Sequence, residues 1–240
     1  ERIHELMSLT RNGKTTLCSL FLLCSYPQAF FPQLGIIATV VPGLIPGEES
    51  PDGIRFIDNK RMEGTLPQML EDSLAFVMKN MRHATRIDAK TGLRNDKTEY
   101  PIKAVRECVL NALVHRDYSI HTEGMPIQLI MYQDRIEIIN PGGLYGRIGV
   151  DQLGKVQADT RNPVLANAME ILGLVENRYS GIPTIQREMR MNHLPEPQFS
   201  ENRGAFCVKL YNEVVVSTQI EHNKDNLLDF CKTPRTRNEI

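Results

Sequence analysis

Glu107, Asn111 and His115 stand four residues apart in the run Arg106-Glu107-Cys108-Val109-Leu110-Asn111-Ala112-Leu113-Val114-His115. On an α-helix each residue advances about 100°, so steps of four keep the three on one polar stripe. A carboxylate there can orient or deprotonate a water. An asparagine carbonyl is the hard oxygen ligand that Mg²⁺ takes while keeping several of its waters. An amphipathic helix with a solvated face shows the same spacing. A second cluster closes a β-branched run, Ile136-Glu137-Ile138-Ile139-Asn140-Pro141-Gly142-Gly143. An asparagine at a strand end suits contact with a ligand, and the glycines let that ligand approach the backbone. A plain type II turn uses Pro-Gly equally well.

Other chemistries fit less well. Gly13-Lys14-Thr15-Thr16 looks like the end of a phosphate-binding loop, but Ser8 stands where the leading glycine is required. The reading is a solvated turn. The six histidines are scattered without metal-ligand spacing on one element, which argues against a histidine zinc site. The five cysteines, Cys18, Cys24, Cys108, Cys207 and Cys231, contain no CxxC pair and read as reduced thiols of a cytoplasmic protein.

The positioning elements follow from periodicity. Thr65 caps a helix over Leu66–Met81, and Pro101 opens the helix that carries the Glu107 stripe to about Val114. Ile127–Tyr132 and Arg135–Ile139 read as strands joined tightly by Gln133-Asp134. Pro163–Leu172 and Ile182–Met191 read as helices, and Ala205–Tyr211 as a strand. Earlier in the chain, Thr15–Ser25 reads as a buried strand, Gly35–Val41 as a strand and Ile54–Ile57 as a short edge strand. Thr91-Gly92 suggests a hairpin or loop.

Composition sets the outer limits. The 240 residues carry 28 Lys+Arg against 29 Asp+Glu, a net charge of −1, so no global positive field draws the chain to nucleic acid. The hydrophobic share of 41% and charged share of 24% are those of a folded globular protein rather than a disordered one. No apolar run reaches the length of a membrane span, and no secretory signal is present. The opening at Glu1 and the stop in a polar helix-like segment read as a piece of a longer polypeptide.

Three runs together resemble a known family: Tyr100-Pro101 through Arg106-Glu107 to Asn111-Ala112 and His115-Arg116-Asp117-Tyr118-Ser119; Asp134-Arg135-Ile136-Glu137-Ile138-Ile139-Asn140-Pro141-Gly142-Gly143-Leu144; and Arg161-Asn162-Pro163 followed by Gly173-Leu174-Val175-Glu176. In that order, over about residues 65–212, they are similar to the carboxy-terminal ATPase-like domain of RecG-related helicases and transcriptional regulators. That domain resembles the GHKL group of gyrase, Hsp90, histidine kinase and MutL ATPases. Residues 1–60, with Thr16-Leu17, Pro27-Gln28 and Phe31-Pro32, resemble the end of a Schlafen AlbA-type domain. Residues 213–224 read as a linker. Leu227–Phe230 and Thr236–Ile240, within residues 225–240, resemble the start of a winged helix-turn-helix.

The resemblance implies an α/β sandwich with a mixed, mainly antiparallel sheet and helices on one face, plus a small, mostly-β amino-terminal remnant. It implies ATP and Mg²⁺ as cofactors. Glu107 would handle the attacking water as the catalytic residue, and Asn111 would bind the metal. Asn140, with Gly142 and Gly143, would meet the nucleobase where the family usually places an aspartate. Ser180, Gly181 and the following helix N-terminus would hold phosphate with help from Arg161, and His115 completes the stripe. The phosphate cradle offers one glycine where the family has several, so binding is expected to be weak and hydrolysis slow or absent. The implied role is a nucleotide-binding regulatory module of a DNA-associated transcriptional regulator, with DNA met through other regions and a homodimer as a further partner. An active Mg²⁺-dependent ATPase coupled to nucleic-acid remodelling and a nucleotide-free dimerisation scaffold are the alternatives.

Overall fold

The computed structural model describes residues 8–87, 94–156, 159–175 and 181–212. A short hairpin comes first: β1, Thr10–Arg11, pairs antiparallel with β2, Lys14–Thr15. Asn12 and Gly13 both sit at positive φ, the conformation that a two-residue hairpin turn needs. The phosphate-loop look-alike is therefore a tight turn, as expected.

Helix α1 follows, Leu17–Leu23. This corrects the buried strand expected over Thr15–Ser25. Thr16 caps it, its hydroxyl accepting from the Ser19 N–H at 3.2 Å. Phe21 is buried and Leu23 is exposed. The described part of residues 1–60 thus holds one α-helix among four strands, the hairpin pair and two that join the main sheet, Ile36–Val40 and Asp58–Met62.

Six strands form the main sheet: β3, Ile36–Val40; β4, Asp58–Met62; β7, Ile127–Met131; β8, Arg135–Pro141; β9, Gln198–Asn202; and β10, Ala205–Tyr211. Their order is β4-β3-β7-β8-β10-β9. Among the strands of the described residues only β3 and β7 pair in parallel, so the sheet is mixed and mainly antiparallel, as expected. The edge strand expected at Ile54–Ile57 lies four residues later, and β9 has no counterpart in the sequence reading. Between β4 and β7, His83–Ile87 (β5) and Arg94–Thr98 (β6) form a separate antiparallel hairpin. Thr91-Gly92 between them, the linker at 213–224 and the segment 225–240 lie outside the described residues.

The described residues hold four further α-helices: α2, Leu66–Asn80; α3, Ile102–His115; α4, Pro163–Ile171; and α5, Gly181–Met191. The Thr65 hydroxyl and Gln68 side chain cap α2 reciprocally. Helices α2 and α3 pack on the sheet face carrying Ile36, Ala38, Ile127, Leu129, Ile136, Ile138 and Val208, all almost fully buried. The opposite face holds an ion cluster. Glu137 accepts from Arg135 at 2.7 Å and from Lys209 at 2.9 Å. The sheet is continuous across the boundary drawn between residues 60 and 65, because β3 and β4 are two of its strands.

Candidate functional site

Helix α3 presents Cys108, Asn111, Ala112 and His115 to a cavity of about 480 Å³. These positions follow i, i+3, i+4, i+7, the spacing of one helix face. Across the cavity lie Ile138 and Asn140 of β8 with Phe206 and Val208 of β10. Asn140 is opposite Phe206, and Ile138 opposite Val208, in the antiparallel ladder, so the four share the sheet face beneath α3. The wall is completed by Gly143, Leu144, Tyr145 and Ile148, by Leu153 to Val156, by Asp159 and Thr160, and by Gly181, Ile182 and Pro183 at the start of α5.

Burial divides the cavity. Cys108, Ala112, Ile138, Asn140 and Val208 are almost fully buried and make its floor. Lys155, Val156, Asp159 and Pro183 are exposed and make its rim. Asn140 is the floor's one strongly polar side chain. It is 5% exposed, and its Oδ1 is buried with no hydrogen-bond partner among the described residues. A buried acceptor left unpaired costs roughly 1–3 kcal/mol, so this atom is a place where a ligand donor would be stabilised. Asn111 faces the first residue of α5: a Cβ built on Gly181 would lie 2.9 Å from Asn111 Nδ2. The N–H groups of that first turn, which have no partner within the helix, and the positive end of the helix dipole favour an anion beside Asn111.

The remaining expected residues have other places. Glu107 does not line the cavity; Arg106 donates to it at 3.3 Å, and the same guanidinium holds Leu174 O at 2.6 Å. Gly142 lies against Asp117 rather than in the cavity wall. Its φ is +97°, and a Cβ there would sit 2.5 Å from Asp117 Cβ. This glycine therefore serves close packing between the strand end and the exit of α3. Arg161 pairs with Asp117 at 3.2 Å, donates to Gly143 O at 2.8 Å and lies 5.2 Å from the centre of the Tyr145 ring. It braces the loop that walls the cavity. Ser180 lies outside the described residues.

Titration behaviour follows the packing. Burial, followed by the nearby Arg161 charge, pushes the His115 pKa down, so the ring at the cavity edge is held neutral. Burial raises the Cys108 thiol far above its ordinary value, leaving it inert. Partial burial pushes Asp117 upward, but hydrogen bonds from Ser119 and the charges of Arg161 and His121 outweigh it and hold the carboxyl low.

Several cavity residues carried no signal in the sequence. Cys108, Phe206 and Val208 read as ordinary core. Tyr145, Leu153 and Lys155 sit in an irregular segment without periodicity, although Gly154 against Ile182 ties that segment to α5. Among the described residues no group of three or more His, Cys, Asp or Glu could hold a metal. No helix there is long and apolar enough to cross a membrane.

A mixed sheet with helices on one face and a cavity between the two is the architecture of an ATPase-like α/β sandwich. Residues 124–210 match the family model described as "Putative ATP-dependent DNA helicase recG C-terminal", so this part of the chain is a RecG-related ATPase-like domain. Among solved structures, the chain is similar to the DIP2311 protein from Corynebacterium diphtheriae, at 19% identity and a TM-score of 0.70. That likeness covers 88% of this chain and 40% of the other, so this chain spans less than half of that protein. No curated protein matches the chain.

Proposed function

We propose that the cavity binds a purine nucleotide, with the base on the apolar floor against Asn140 and the phosphates toward Asn111 and the start of α5. The observation that carries this is the buried, unpartnered Oδ1 of Asn140, the one strongly hydrogen-bonding side chain on an otherwise apolar floor. A flat heteroaromatic ring with a polar edge fits such a floor. The Asn111 carbonyl is an oxygen ligand suited to Mg²⁺, an ion commonly held by one or two protein oxygens plus substrate phosphates. Bound there, it would neutralise phosphate charge.

Hydrolysis is slow or absent on this reading. Glu107, the residue expected to handle water, stands off the cavity wall beside Arg106. The phosphate end offers one glycine, Gly181, where a denser array of N–H donors would stabilise the transition state. The module then acts as a nucleotide-responsive part of a DNA-associated transcriptional regulator. DNA association is carried over from the family, whose description concerns a DNA helicase, and a cytoplasmic setting from the reading of the cysteines as reduced thiols. A net charge of −1 places any DNA contact in local patches or other segments.

Calorimetric titration with ATP and Mg²⁺, alongside a phosphate-release assay, tests this. The expected result is measurable binding that weakens by about tenfold or more in Asn111→Ala. Phosphate release should stay near background and be unchanged by Glu107→Ala. Robust turnover lost in Glu107→Ala would establish an active ATPase instead. No binding at millimolar nucleotide would leave the scaffold role as the better account.

A further inference from the structure

We infer that this pocket does not single out adenine: it takes guanine nucleotides as well, with Asn140 as the residue that sets this tolerance. The inference rests on the nucleotide reading above and extends it to the chemistry of the base. Its observations are the type of side chain at the floor, the surroundings of that side chain and the lack of a partner at its Oδ1.

The Watson–Crick edges of the two purines are opposites. Adenine presents an amino donor beside the N1 acceptor, and guanine presents the O6 acceptor beside an N1–H donor. An ionised carboxylate only accepts, so at this position it would pair with the one donor and repel the one acceptor that either purine presents at these two places. An amide carries one acceptor and one donor group side by side. Rotating it by half a turn exchanges the two, which converts a complement of one purine into a complement of the other.

The surroundings of Asn140 leave that rotation unopposed. Its Oδ1 has no hydrogen-bond partner among the described residues, so no protein contact at that end is broken when donor and acceptor change places. The buried floor around it is Cys108, Ala112, Ile138 and Val208, with the half-buried Phe206 opposite on β10. The apolar members have no polar group that would favour either edge, and a neutral thiol is a weak donor and acceptor. The amide is neutral, so its burial does not change with the base it meets. A cavity of about 480 Å³ is also large enough to admit either purine. Sites discriminate strongly when a fixed, buried polar group is left unpaired by the wrong ligand. Here the group adapts, so neither purine leaves it unpaired.

Competition binding of ATP and GTP to the chain, in Mg²⁺, reads the tolerance directly. The expected result is dissociation constants within about threefold of each other. In Asn140→Leu, which nearly keeps the side-chain volume and removes donor and acceptor together, ATP and GTP should weaken by the same factor, about tenfold. Should that substitution unfold the protein, as circular dichroism would show, Asn140→Ser is the second variant: its hydroxyl also donates and accepts, so both nucleotides should weaken equally. A wild-type preference for ATP of about tenfold or more overturns the inference while leaving nucleotide binding intact. An unequal loss in Asn140→Ser overturns it as well. Failure of both nucleotides to bind overturns the nucleotide reading itself, and this inference with it.

Discussion

His115 sits where the cavity-facing stripe of α3 ends, and its surroundings dictate a pH dependence. Burial and the Arg161 guanidinium both disfavour the imidazolium, so the folded protein holds this ring neutral below the usual histidine value of 6.5. The unfolded chain takes up the proton near that value. Between the two, the unfolded state binds more protons, and stability therefore rises with pH through the window. The contribution is fully present above 6.5 and is lost as pH falls from there toward the depressed folded value. His115→Gln removes this proton and should flatten that part of the profile. Thermal melts of both proteins from pH 7.5 down to about 5 check it; equal slopes would show that another group titrates. The same residue shows what sequence spacing misses. A step of four overshoots a full turn by about 40°, so Glu107 lies about 80° around the helix from His115 while Cys108 lies about 20° away. The polar pattern therefore pointed to Glu107, and the geometry puts Cys108 on the floor.

Helix α3 depends on a residue far from it in sequence. The last carbonyls of a helix have no intrahelical partner and need one from elsewhere. Asn162 Nδ2 donates to Val114 O and to Arg116 O, both at 2.8 Å, and so closes the end of α3 from the start of α4. Asn162→Ala loses both bonds and should cost about 1–3 kcal/mol in urea denaturation. The loss should exceed that of Arg187→Ala, whose side chain is mostly exposed. Much at this scale was legible: the cap at Thr65, the proline opening α3, and the two strands joined at Gln133-Asp134 are all local signals. Helix α1 was not, because an apolar run of seven or eight residues suits a buried strand as well as a short helix. The Thr16 cap and packing of Phe21 decide for helix. Strands β4 and β9 were misplaced or missed because they are polar, solvated edges whose pairing, rather than alternation, makes them strands.

At the scale of the molecule, the parallel pair β3–β7 is the joint that matters. Ile36 to Val40 align with Ile127 to Met131 in unbroken register, which places residues from the first quarter of the chain beside the strand that precedes β8. Sequence reading divided the chain near residue 60 because the motifs of the ATPase-like region begin after it; a parallel pairing leaves no local mark, since its partners are joined by a long crossover. The burial is substantial. Phe21, Leu34, Ile36, Val40 and Met62 are all under 9% exposed within one core cluster. At about 1.5–3 kcal/mol for each large apolar side chain, losing them together would remove an amount comparable to the roughly 5–15 kcal/mol that holds a whole domain folded. A chain beginning at Gly64 would also expose the β7 edge, with its Ile127 and Leu129 now lacking a neighbour on that side. We therefore expect one cooperative unfolding transition for the full chain, with the amides of Ile36–Val40 and Ile127–Met131 exchanging with deuterium at matching free energies. The chain beginning at Gly64 should show no cooperative transition and should bind a hydrophobic dye. Two separated transitions in the full chain, or a folded shortened chain, would place an independent unit on each side of residue 60 and would make the β3–β7 pairing dispensable.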